Sequence, residues 1–269
     1  MWLSRTETNP WRLKSRLGLR SRPAPVKRII ELILAVIVLT ACSPEIHPAE
    51  PLATPQIWQV QTTPALAWLG ESFQACAAAQ PGVNLVVSQH SAAEIDPLKA
   101  DFSFQWGQRS QPPLFAAVIG QDTLAVVVNP ANPIEQLSVD DVKAIFGSQR
   151  AAWGQVIATP CANCGLDASS AVKAYVYAAG EDVRQAADWI PSGPDAILAP
   201  GPAAARQAVA QDAGGIAYLP GHWVDSTVKK VTITGADPAM LSQPILALAG
   251  AEPQGEKRAW LLCVQEKIK

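Results

Sequence analysis

The hydrophobic and polar positions of this chain group into short blocks with two periods, one of strands and one of helices. Residues 124–128, LAVVV, form an unbroken, largely β-branched run of the kind buried on both faces of a sheet. Asn129-Pro130-Ala131-Asn132-Pro133 can continue neither a strand nor a helix, so the chain turns there. Ser138 stands three residues before Asp141, a spacing at which hydroxyl and carboxylate each satisfy an orphan backbone N–H, and Leu137 with Val142 can staple the helix start. Val142, Ile145 and Phe146 then give one apolar helix face, and Gly147 stops it. Upstream, 57–61 reads as a strand. Past Pro64, which suits a first helical turn, Leu66, Leu69, Phe73 and Cys76 recur at spacings of three and four. Residues 83–87, 101–105 and 114–119 read as further strands, the last leading through Gly120 and Asp122 into the 124–128 run. Beyond Trp153 the pattern predicts a short strand at 156–159 and helices at 168–179, 182–189 and 202–211. It ends with strands at 216–219, 228–234 and 244–248 and a helix at 254–265. This alternation defines an α/β class with mixed, largely parallel sheets flanked by helices.

The first 41 residues follow a different logic. Arg5, Arg12, Lys14, Arg16, Arg20, Arg22, Lys27 and Arg28 precede an almost wholly apolar stretch at 32–41, the layout of a signal peptide over 1–41. That apolar core is about half the ~20 residues a membrane-spanning helix needs. Leu39-Thr40-Ala41-Cys42 resembles a bacterial lipobox, which makes Cys42 the lipidation site and puts the mature chain outside the cell membrane. Residues 42–55, rich in proline and without apolar period, read as a lipidated, extended tether.

Removing the leader changes the charge. The chain holds 21 Lys+Arg and 23 Asp+Glu; the leader takes eight and two of these, leaving 13 and 21, a net charge of −8. Such a surface excludes nucleic acid as the expected partner. With 49% hydrophobic and 16% charged residues in 269, the chain can bury a substantial core. Four cysteines remain after Cys42. Cys161 and Cys164 form a C-x-x-C that reads as a loop disulfide, because neither a thioredoxin-like context nor a second zinc-binding pair accompanies it; Cys76 and Cys263 then pair with each other. Neither a metal nor a cofactor is implied. No G-x-S-x-G, H-E-x-x-H, P-loop or dinucleotide fingerprint is present, and the three histidines lie in different elements, so an enzyme is not expected.

The run NPANPIEQLSVDDVKAIFGSQRAAW resembles the segment that follows the first inter-lobe crossing in phosphate-binding-protein-like extracytoplasmic solute receptors of ABC transporters. Asp212-Ala213-Gly214-Gly215-Ile216-Ala217-Tyr218 is similar to the return crossing of the same family. The resemblance implies a two-lobed periplasmic-binding-protein-like fold with two hinge crossings: 56–123 plus 220–269 as lobe 1, 124–219 as lobe 2. It also implies a small solute, phosphate-like and anionic, held between the lobes, and ABC permease subunits as partners. The alternative is a surface lipoprotein that keeps the fold as a scaffold or sensor for protein partners.

In that family oxyanions are held by loops after the first three strands and by an S-G-T loop opening a lobe 2 helix. Here the corresponding positions offer Thr62 and Thr63, either as anion donors or as helix caps. They also offer Ser91 in a loop without glycine, then Gln105 and Trp106, the indole either lining the cleft or buried in the lobe. Ser169 and Ser170 take the place of the S-G-T loop, and no arginine is positioned for a bidentate phosphate contact.

Overall fold

The computed structural model describes residues 55–108, 115–157 and 166–268. The leader, Cys42, the tether, Cys161 and Cys164 lie outside them. β1 (Gln56–Thr62) pairs in parallel with β2 (Val83–Gln89) and β3 (Phe102–Trp106). A 3-10 segment, Pro64–Leu69, and α1 (Gly70–Ala78) connect β1 to β2, and Leu66, Leu69, Phe73 and Cys76 are all fully buried as their spacing requires.

The two strands expected at 114–119 and 124–128 are one. β4 (Phe115–Val128) runs fourteen residues without a break. Its first part pairs antiparallel with β10 (Ser242–Ala249), which also pairs with β3; its last five residues pair instead with β8 (Gly215–Pro220) and β9 (Lys229–Thr234). The burial pattern changes at the same point: alternating along 115–123, continuous from Leu124 to Val128. A strand with one solvated face thus becomes a strand covered on both. β4 joins two halves, and β8, lying beside it with Leu124 opposite Pro220 and Val128 opposite Ile216, is the return.

After β4 come β5 (Gln136–Ser138), parallel to β9, and α2 (Val139–Phe146). The capping box is formed: the Ser138 hydroxyl accepts from the Asp141 N–H at 3.1 Å, and the Asp141 carboxylate accepts from the Ser138 N–H at 3.2 Å. The 168–179 helix is not present. Its second half is β6 (Lys173–Val176), parallel to β8 and to the short β7 (Ile197–Leu198), because Ala174 and Val176 bury alternately against the sheet. V-K-A-Y-V-Y satisfies period two as readily as a helical period, and its β-branched and aromatic content decides for the strand. Of the strand expected at 156–159, the described residues Val156 and Ile157 are not strand: they follow a 3-10 turn, Trp153–Gln155, with their N–H groups turned back on the Trp153 carbonyl. The helix expected at 182–189 stops early as α3 (Asp182–Ala186). α4 (Pro202–Gln211) has the predicted bounds; α5 (Pro238–Leu241) and α6 (Gly255–Ile268) complete the chain.

Two aromatic groups form within one continuous core. In the first half Phe73, Phe102, Phe104 and Trp260 pack with centroids 4.5–6.3 Å apart, and the Trp260 indole N–H donates to the Phe73 carbonyl. The Cys76–Cys263 disulfide joins α1 to α6 beside them. In the second half Trp153, Phe146, Tyr177 and Tyr218 are fully buried, with the Trp153 indole donating to Gly214 O. Gly214 has no room for a side chain, since a Cβ there would meet the Ala171 carbonyl oxygen at 2.4 Å. Its N–H is held by Asp212 Oδ1 at 2.9 Å, which explains the Asp-x-Gly spacing before β8.

Candidate functional site

The C-terminal ends of β1, β2 and β3 lie side by side, and one loop of the second half, 177–182 between β6 and α3, docks against all three. The Ala93 N–H donates to the Gly180 carbonyl at 3.0 Å, and a Cβ on Gly180 would meet Ala93 Cβ at 3.2 Å. After β3, Gly107 takes φ +79°, and a Cβ there would touch Ala186 Cβ at 3.0 Å. Both approaches demand small residues.

Asp182 lies at the centre of this junction. It is 1% exposed, and its Oδ2 accepts the backbone N–H of Trp106 at 3.0 Å, 76 residues away; Oδ1 accepts the Val183 N–H at 2.8 Å. Burial pushes its carboxyl up to about 6, against the Thr63 hydroxyl and the Trp106 and Val183 N–H groups, which favour the ionised form. The Thr63 Oγ1 is close enough to act on the carboxylate yet lacks a partner in hydrogen-bonding geometry. Glu181 is raised by burial, then by Asp182 and Glu94, so carboxylates gather at this junction. The Arg184 guanidinium, on the same helix, donates to the carbonyls of Ala187 and Ile190.

Thr62 and Thr63 are buried at the end of β1; the Thr62 carbonyl accepts from the His90 N–H, and the Thr63 N–H donates to the Phe104 carbonyl. The Thr63 side chain caps no helix. Ser91 is half-buried, its hydroxyl and N–H turned to Glu94. Gln105 is buried with its Oε1 unpartnered. The Trp106 indole is wholly buried and donates to Asp122 at 3.0 Å, so this residue meets the opposite half through its backbone, not its ring. These five positions come together. Ser169 and Ser170 differ: both hydroxyls bond Asp167 in a turn that precedes a strand, so they do not open a helix. The loop that opens α3 carries Gly180 and the acidic Glu181 and Asp182; the sequence pattern marks Asp182 only as the start of the 182–189 helix.

Beside the junction opens a cavity of ≈ 590 Å³, lined by Gln108, Gln185, Asp188, Ser242 and Gln243. Nearby, Trp68 stacks on His222 with centroids 3.6 Å apart, and burial lowers the His222 pKa against the pull of Asp122. Among the described residues no group of three or more His, Cys, Asp or Glu is placed to hold a metal, and no helix is long and apolar enough to cross a membrane.

One long strand shared by two half-sheets, a return strand beside it and strand ends meeting between the halves make this the two-lobed type II periplasmic-binding fold. No protein-family model matches the chain, and no curated protein matches it. Its structure is similar to that of an ABC-type phosphate transport receptor from Vibrio cholerae, at 20% identity over 78% of this chain and 93% of that one, with TM-score 0.57. It is also similar to a protein from Clostridium perfringens designated a phosphate ABC transporter substrate-binding protein, with bound phosphate (16%, 78% and 93%, TM-score 0.63). The regulatory domain of CcmR from Synechocystis PCC6803, in complex with 2-PG, is comparably similar (14%, 79% and 97%, TM-score 0.56). At these identities the likeness is one of fold.

Proposed function

We propose that this protein is a non-enzymatic, extracytoplasmic solute-binding lipoprotein, anchored through Cys42, that captures a small anionic solute between its lobes for an ABC importer. One observation carries the solute site: where the ends of β1 and β3 meet the 177–182 loop, the Trp106 N–H of one half, with the Thr63 hydroxyl beside it, receives an oxyanion group, the Asp182 carboxylate, from the other. Donors that accept a carboxylate suit a phosphate-like solute equally. The ≈ 590 Å³ cavity beside them, lined by Gln108, Gln185 and Gln243 together with Ser242 and Asp188, gives a solute an approach. The relatives in fold include proteins named as phosphate receptors, and the Cys76–Cys263 disulfide suits an oxidising compartment. Lobe 1 is then 56–123 plus 220–269 and lobe 2 is 124–219, with β9 reaching across to pair with Val126–Val128.

A non-transport scaffold or sensor is the second reading, favoured by the buried Trp106 and Asp182, which fill the junction with the chain's own side chains. Cross-linking of the lipidated protein in intact cells separates the two. Retrieval of ABC permease and ATPase subunits is the outcome expected of the importer; recovery of other surface proteins alone overturns it in favour of the second.

A further inference from the structure

We infer that Asp182 is a tethered ligand: its carboxylate occupies the inter-lobe site in place of a solute oxyanion, holds the two halves closed, and must be displaced before an external anion binds. This rests on the inter-lobe site proposed above and specifies how that site is regulated.

Local geometry alone does not account for the residue. The bond to the Val183 N–H is an ordinary helix-start contact, but the second oxygen reaches the Trp106 N–H in the other half of the molecule. A buried carboxylate with no cation is costly to ionise. Among the described residues no Lys, Arg or His forms an ion pair with Asp182. Its compensation consists of the Trp106 and Val183 N–H groups, with the Thr63 hydroxyl close enough to favour the ionised form, donors of the kind that bind an oxyanion. The Thr63 Oγ1, buried and without a partner in hydrogen-bonding geometry, marks a donor beside the carboxylate that this short side chain leaves unused. A free tetrahedral anion has more oxygens than the Asp182 carboxylate, and a free carboxylate can turn, so either can use the remaining donor.

The test uses small-angle scattering and thermal unfolding of the full chain with sodium formate and inorganic phosphate as probes. Without either, the wild type is expected to scatter as the closed form, and millimolar probe leaves its profile unchanged. Asp182→Ala removes a carboxylate about the size of formate. This variant is expected to have a larger radius of gyration, to contract on adding formate, and to gain about 5 °C in Tm at saturation. A wild type that scatters as an open form, or that contracts with phosphate, overturns the inference; so does a folded Asp182→Ala chain whose profile and Tm ignore formate. If that variant does not fold, the wild-type profiles decide. Permease capture with a failed formate response removes the tethered ligand and leaves the importer. A positive formate response without permease capture does the reverse.

Discussion

At the scale of single residues, Asp182 carries the clearest consequence. Its carboxyl is raised from 3.8 to about 6, so its stabilisation is fully present below about pH 4 and is lost as pH rises through 6. His222 runs the opposite way: its pKa is lowered from 6.5, so its stabilisation is present above that pH and is lost as pH falls. The two overlap, and the Asp182 part is isolated as a difference. Between pH 7 and 4 the wild type is expected to gain about 2–3 kcal/mol relative to Asp182→Asn, from two pKa units at about 1.4 kcal/mol each. Parallel denaturation curves at both pH values check this, and equal pH dependence in the two proteins contradicts it. Ser138 gives a second, local prediction. Ser138→Ala removes the acceptor for the Asp141 N–H and should cost about 1 kcal/mol, a fall of roughly 2–4 °C in Tm by calorimetry.

At the scale of elements, legibility in the sequence followed the range of the interactions. The Ser138 box and the Pro202 start of α4 were readable because each is decided within a few residues. The 168–179 segment was not, because its apolar residues suit two periods, and pairing with Gly215–Ala217, some forty residues on, selects the strand. β4 was read as two strands since Gly120 and Gln121-Asp122-Thr123 interrupt its apolar pattern. β10 alongside, with a register shift at Ile245/Leu246, carries the pairing through. Of the candidate site, the positions of the three strand-end loops followed from the strand pattern, and their binding role is part of the proposal. Asp182 was not legible, because its partner at Trp106 exists only once the halves meet.

At the scale of the whole molecule, the Cys76–Cys263 bond ties elements 187 residues apart, closing nearly the whole folded chain into one loop. On the chain-entropy view a loop of that length contributes about 5 kcal/mol. Cys76→Ser with Cys263→Ser, or reduction of the native protein, is expected to lower Tm by roughly 10–20 °C; a shift of a degree or less would mean that the α1 and α6 packing around Phe73 and Trp260 suffices. The same packing lies in the half that carries β1, β2 and β3. In the proposed function the solute site is the junction where those strand ends receive the 177–182 loop. The most direct measurement of that junction is the amide ¹⁵N–¹H signal of Trp106 followed through a pH titration. We expect it to move with a midpoint near 6 and to lose that transition in Asp182→Asn; a signal that stays flat, or that titrates identically in the variant, would contradict the closed junction built on Asp182.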